Sequence, residues 1–195
     1  MGSFVLAQKE LKRTIKASSI TLLQIDVANC FEVMLETGNT DKIVIQARFE
    51  GEYTKDLEIA VYQDGGTLGV EAGFMSNFVI PNDKLSAHKV VSIALHVFLP
   101  KWKNVQVYGT NTRVMATGSY SDLSIILADG NCELNEVSQN VTVKTQSGNI
   151  VLKAKNGSVT ASSKYGLVSP VVLPAGESHY NLSTVTGNIE LKKPK

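Results

Sequence analysis

From Asn104 onward the chain repeats every nine residues. Successive blocks read NVQVYGTNT, RVMATGSYS, DLSIILADG, NCELNEVSQ, NVTVKTQSG, NIVLKAKNG, SVTASSKYG and LVSPVVLPA. The second column, Val105, Val114, Leu123, Cys132, Val141, Ile150, Val159 and Val168, is apolar in every block. With 43% apolar residues in the chain, a column of this kind arises by chance about once in a thousand trials, or about once in a hundred over all nine frames. The fourth column continues through Val107, Ala116, Ile125, Leu134, Val143, Leu152 and Ala161 and fails at Pro170.

Apolar residues two apart point to the same side of an extended strand, so each block predicts a short strand with two inward side chains, then a turn. Gly130-Asn131, Gly148-Asn149, Gly157-Ser158 and Gly187-Asn188 place glycine and a small polar residue at those turns, where tight bends need them. Two nine-residue strand-turn units would close a coil of 18 residues, and stacked coils would bury a continuous column. An antiparallel meander or sandwich competes, because its strands recur at similar spacing. The calcium-binding nonapeptide roll is excluded, since it needs a repeated aspartate to hold the ion and no aspartate column occurs.

The N-terminal half is also β-rich, with alternating or apolar runs at 19–27, 31–36, 43–49, 57–62, 68–72 and 90–99. Asp64-Gly65-Gly66 predicts a tight hairpin between two of them. Longer connections at 73–89 and 170–179 interrupt the pattern, and connections of that length are often functional. A chain of 195 residues is expected to form one core. The division expected is an N-terminal segment 1–17 and one domain 18–195, with an irregular β region at 18–100 and the regular repeat at 104–191. No run approaches the roughly 20 apolar residues of a membrane-spanning helix. A net charge of +1 is too small to build the positive field that steers proteins to nucleic acid, so none is expected as partner. Val5-Leu6-Ala7 reads like the small-residue end of a secretory signal, so 1–17 is read as a signal remnant plus leader to the first strand, with an ordinary short apolar N-terminal strand as the alternative.

Thr145-Gln146-Ser147-Gly148-Asn149-Ile150 and Thr184-Val185-Thr186-Gly187-Asn188-Ile189 resemble the recurring phrase of the bacterial putative-adhesin family, Thr-x-Ser-Gly-Asp/Asn-Ile followed by alternating apolar residues. The resemblance covers about Asn104 to Leu191 well. It implies an all-β, single-stranded, right-handed parallel β-helix or β-roll, with two nine-residue units per coil and a less regular N-terminal β region. It also implies export to the periplasm, the outer surface or the medium of a bacterium. The family has no active site to carry over.

The residues themselves offer little chemistry. Asp122, Asp129, Glu133 and Glu136 fall in neighbouring blocks, but solvated turns and outer faces explain them better than a catalytic carboxylate pair. His88, His96 and His179 lack metal-ligand spacing, so no metal is expected and structural roles are the better reading. Cys30 and Cys132 read as buried free thiols, with a single bridge between them, compatible with an oxidising compartment, as the alternative. No catalytic residue and no cofactor are predicted.

Two sets stand out as possible partner contacts. Phe74, Met75 and Phe78 lie in an apolar stretch without strand alternation; it reads first as a cap over an open end, second as a contact for a partner, lipid or glycan. Lys144, Lys153, Lys155 and Lys164 would form a basic strip if repeated positions stack. The expectation is a non-catalytic, exported, adhesin-like binding or structural protein of the envelope, with a glycan, an envelope polymer or a surface protein as partner. A carbohydrate-active enzyme and an envelope sensor or assembly factor are the alternatives.

Overall fold

The computed structural model describes residues 8–51, 53–78 and 91–194. The Val5-Leu6-Ala7 signal-like end, the 79–81 part of the apolar stretch, and His88 lie outside the described residues. The strands are β1 (Gln8–Lys16), β2 (Leu22–Asp26), β3 (Glu32–Gly38), β4 (Lys42–Gly51), β5 (Leu57–Asp64), β6 (Thr67–Phe74) and β7 (Val91–Pro100). They continue with β8 (Asn104–Gly109), β9 (Arg113–Leu127), β10 (Cys132–Lys144), β11 (Ile150–Lys153), β12 (Ser158–Ser163), β13 (His179–Thr184) and β14 (Ile189–Lys192).

All fourteen belong to one mixed sheet that wraps into a nearly closed, barrel-like wall. One flank runs β5-β6-β2-β8, the second half of β9, the second half of β10, β13, β12. The other runs β1-β4-β7-β3, the first halves of β9 and β10, β11, β14. Both flanks turn their alternate apolar side chains inward, and Leu23, Val33, Val105, Val114, Leu123, Cys132, Val141, Ile150, Tyr180 and Ile189 are all buried.

The expected single-stranded right-handed parallel β-helix with two units per coil is therefore corrected. The β1–β4, β4–β7 and β5–β6 pairs are antiparallel, and β13 lies between β10 and β12 instead of following β12. The nine-residue period survives as a register between parallel neighbours: Val105 pairs with Leu123, Leu123 with Val141, Val114 with Cys132 and Cys132 with Ile150. What the period does not carry is strand direction in the N-terminal half or strand order near the C-terminus. There the chain leaves β11, skips the width of one strand to lay down β12, and returns with β13 and β14 to fill the gap. Val141 consequently pairs with Tyr180, and Tyr180 with Val159. At this end the column is only partly covered, with Val159 and Ala161 half-buried and Val168 exposed.

Successive corners differ. At one corner the phrase Thr-x-Ser/Thr-Gly-Asn builds a ladder. The buried Thr145 hydroxyl accepts from Gly148 N–H at 3.1 Å and points its proton at the Ala128 and Gly130 carbonyls, 3.0 and 3.3 Å away. Thr184 repeats this, accepting from Gly187 N–H at 3.1 Å and donating to the Gly148 carbonyl at 3.2 Å. Outside them, Asn131 Oδ1 accepts from Asn149 N–H, Asn149 Oδ1 from Asn188 N–H and Asn188 Oδ1 from Leu167 N–H, each at 2.8 Å. Glycine is required because a Cβ on Gly148 would overlap the Gly130 carbonyl and one on Gly187 the Gly148 carbonyl. At the opposite corner β9 and β10 run through without a break. β9 bends at Gly118 (φ 103°) and β10 at Glu136 (φ 49°) and Gln139 (φ 76°), and the space inside is filled by buried Tyr120, Val137 and Ala154.

Thr145→Val keeps the volume but takes the hydroxyl partner from Gly148 N–H and from the Gly130 carbonyl, while Gly148→Ala drives a methyl group into the neighbouring carbonyl. Each is expected to lower the unfolding free energy by about 1–3 kcal/mol, with Thr145→Ser close to the parent, as read from urea denaturation midpoints. An unchanged midpoint in both variants would remove the ladder's structural role.

Candidate binding surfaces

The outer face of β1, β4, β7 and β3 curves into a groove of about 610 Å³. Antiparallel register aligns Glu10 with Arg48 and Arg48 with Ala94, and parallel register aligns Ala94 with Glu32. One step along, Lys12, Gln46, His96 and Met34 form a second row. Their neighbours in sequence, such as Leu11, Ala47, Leu95 and Val33, point the other way into the core, which fixes the outward set by strand alternation. The floor holds half-buried Met34, and polar and ionisable side chains surround it. His96 Nε2 lies 3.0 Å from Glu36 Oε2, and Arg48 Nε 3.2 Å from Glu50 Oε1.

The charged row continues past the groove. Glu133 meets Lys153 Nζ at 2.6 Å and Arg113 at 3.4 Å. The Lys153 hydrogen bond is the main cause that holds the Glu133 carboxyl below the usual glutamate range; partial burial opposes it, and Asn135 and Arg113 add to it. The other flank is different in kind. Its middle row, Gln24, Gln106, Ser124, Thr142, Asn181 and Thr160, is aligned strand by strand and carries no charge. Gln24 donates to Gln106 Oε1 at 2.9 Å, and the Tyr108 hydroxyl to the same oxygen at 3.0 Å.

The four lysines singled out in the sequence are not brought together. Lys153 and Lys155 bind Glu133 and Glu136 at 2.6 and 2.7 Å, Lys144 ends β10 on the neutral flank beside Ser183, and Lys164 lies 5.0 Å from the Tyr165 ring. Units nine residues apart alternate between flanks, so equivalent positions in adjacent units face opposite ways. Phe74, Met75 and Phe78 do meet: the two phenyl rings stack at 4.5 Å with Tyr53 edge-on to both, and Met75 N–H donates to the Asp56 carbonyl. The groove set went unread because its members span residues 10 to 96, and only the pairing of four strands collects them.

Among the described residues no group of three or more His, Cys, Asp or Glu side chains is placed to hold a metal ion. Both thiols are free and buried; burial pushes Cys30 up to about 12, and Cys132 higher still. No helix among the described residues is long and apolar enough to cross a membrane.

A family model described as Toastrack DUF4097 matches residues 86–195, more than half of the chain. No curated protein matches. Among solved structures, a putative cell adhesion protein from Clostridium sporogenes superposes with a TM-score of 0.62 at 16% identity, covering 96% of this chain and 100% of that one. A putative adhesin from Bacteroides fragilis (14% identity, 94% and 97% coverage) and one from Parabacteroides merdae (10%, 96% and 97%) align with TM-scores of 0.30 and 0.35. At these identities the first likeness shows a shared fold.

Two outcomes are expected from these surfaces. Because the folded Glu133 pKa is lowered, the unfolded chain binds the proton more readily, so the pair stabilises the fold above the ordinary glutamate pKa. That stabilisation is lost as pH falls through the folded value. Glu133 and Lys153 are partly solvated, so Glu133→Gln should cost no more than about 1 kcal/mol at pH 7. The difference should vanish in acid, as followed by denaturation at several pH values. A difference independent of pH would contradict the assignment. Replacing Phe74 and Phe78 together by serine should cost about 1–3 kcal/mol through loss of the ring stack, visible as a lower Tm; an unmoved Tm would assign the rings to a partner instead.

Proposed function

Because this chain belongs to the Toastrack DUF4097 family, we propose that it is a non-catalytic, exported module of the bacterial envelope that binds a partner through the outer face of its sheet. The observation that carries this reading is the groove of about 610 Å³ on the charged flank, whose ionisable side chains stand on a strand-paired wall. Two of its side chains engage neighbouring glutamates at the surface, His96 with Glu36 and Arg48 with Glu50. Catalytic acids and bases are usually set apart from water in a cleft. The Clostridium sporogenes protein of the same fold is described as a putative cell adhesion protein, which favours attachment over chemistry as the use of such a face. A glycan, an envelope polymer or a surface protein is the partner class that fits a groove mixing Arg48, Glu32 and Gln46 with apolar Met34.

Proteolysis of the native protein in intact cells, and in cells whose envelope has been opened, tests the location with an internal marker as control. Digestion in intact cells is the expected result. Protection until the envelope is opened would replace adhesion by an internal scaffold or sensor role. For the groove, purified protein carrying Lys12→Glu and Arg48→Glu should bind isolated envelopes about tenfold more weakly than the parent; equal binding would move the site off this flank.

A further inference from the structure

Four described strands pair with one other strand each: β1 with β4, β5 with β6, β12 with β13 and β14 with β11; the far side of β14 is closed by the bridge from Val168 to Ile189, which leaves β1, β5 and β12 as edges. An open edge offers its backbone to other chains, and charged side chains are the common guard. β1 carries Lys9, Glu10, Lys12, Arg13 and Lys16, and β5 carries Glu58 and Asp64. β12, Ser158-Val159-Thr160-Ala161-Ser162-Ser163, carries none.

The open side of β12 can be read from its bonds. Ser158 N–H donates to the Ser178 carbonyl and Lys164 N–H to Thr184, both towards β13. Consecutive residues of a parallel strand present their backbone to opposite sides. Val159, Ala161 and Ser163 therefore turn N–H and C=O to the open side. Beside this edge lie the most exposed apolar side chains of the described surface: Val172 at 85%, Leu167 at 78% and Tyr165 at 71% exposure, with Val168 and Val171 near 40% and 38%. Val168, Val171 and Val172 border a hollow of about 400 Å³ floored by Val159, Ala161 and Leu191. An apolar patch of this kind marks an interface.

The chemistry of the edge selects its occupant. Another parallel rung is disfavoured, because the asparagine ladder ends at Leu167, whose side chain offers the next N–H no acceptor. We propose that this end of the molecule is a two-fold interface with a second copy of the chain, formed by antiparallel pairing of β12 with β12. A two-fold axis at Ala161 sets Ala161 against itself and Val159 against Ser163, so inward residues face inward residues in both copies. Lys164, the one charge between Ser158 and Leu173, then lies opposite Ser158 and not opposite its own copy. The same operation sets the hollow beside β12, with Val171 and Val172 on its rim, next to its counterpart across the seam. β1 could not do this, since its basic residues would oppose their like. The inference is independent of the groove and of its partner.

The test is the mass of the full chain in solution by sedimentation equilibrium, where the parent is expected at twice its 21.1 kDa. Ala161→Pro removes an N–H that faces the open side and is tolerated on an edge strand, so this variant should be monomeric with the parent's circular dichroism and Tm. Val172→Asp, on a side chain 85% exposed, should also be monomeric, and it decides the matter if Ala161→Pro does not fold. A parent that stays monomeric at about 100 µM, or a dimer that persists in Val172→Asp and in a folded Ala161→Pro, overturns the proposal.

Discussion

The buried hydroxyl at Thr145 and Thr184, held between the glycine N–H of its own corner and a carbonyl of the adjacent rung, is the constraint on which the rest of the wall depends. Apolar burial forbids a slip of one residue, which would turn every inward side chain outward, but a slip of two keeps the inward face inward and is resisted only weakly by rungs so alike. The hydroxyl ladder removes that freedom. Each corner has one acceptor position for one N–H, and a misplaced rung would leave buried polar groups unpaired at about 1–3 kcal/mol each. The asparagine ladder outside it repeats the specification with a second set of partners. Glycine is the consequence, because rungs this close leave no room for a Cβ.

The same ladder explains the order of the C-terminal strands. The two best copies of the corner phrase, at Thr145 and Thr184, are 39 residues apart yet adjacent in space, with Asn149 accepting directly from Asn188. The intervening corner at 163–167 keeps the hydroxyl and the glycine, as Ser163 accepts from Gly166 and donates to the Gly187 carbonyl. It has Leu167 where asparagine would stand, so it receives a ladder bond and passes none on. A rung that cannot support a successor is suited to the end of the stack. β13 and β14 fill the place between, and Tyr180 reaches across with its hydroxyl to the Val137 carbonyl at 2.6 Å. Strand order here follows the chemical competence of the corners and not the order of the chain.

This accounts for what could be read from the sequence and what could not. The two apolar columns were legible because burial acts residue by residue, and from Val105 to Leu152 every member is buried. The all-β class followed from the same alternation. Direction was not legible in the N-terminal half, since alternation is identical in parallel and antiparallel strands, and β4 pairs antiparallel with both neighbours. The Asp64-Gly65-Gly66 turn was the exception, because a tight hairpin dictates the antiparallel pairing seen between β5 and β6. The lysine strip failed for a geometric reason: it assumed that units nine residues apart share a face, whereas Lys153 and Lys144 lie on opposite flanks. The groove was invisible for another, as Glu10, Arg48 and Glu32 are neighbours only through strand pairing across β7.

On the charged flank the order runs β1-β4-β7-β3, then β9, β10, β11 and β14, with Val168 of the terminal rung bridged to Ile189. The groove occupies the first four strands, and the β12 end lies beyond the last. At about 4.8 Å per strand the two are separated by roughly 20 Å of paired wall, so pairing at one end leaves the groove at the other uncovered. Joining two copies through β12 would turn two weak sites into one particle with both grooves outward. For a repetitive partner such as a glycan or envelope polymer, the second contact then becomes intramolecular and strengthens attachment without any new bond in the groove. A shallow surface groove and an unguarded neutral edge, each unremarkable alone, would in that combination be mutually useful: the edge would set valency and the groove recognition.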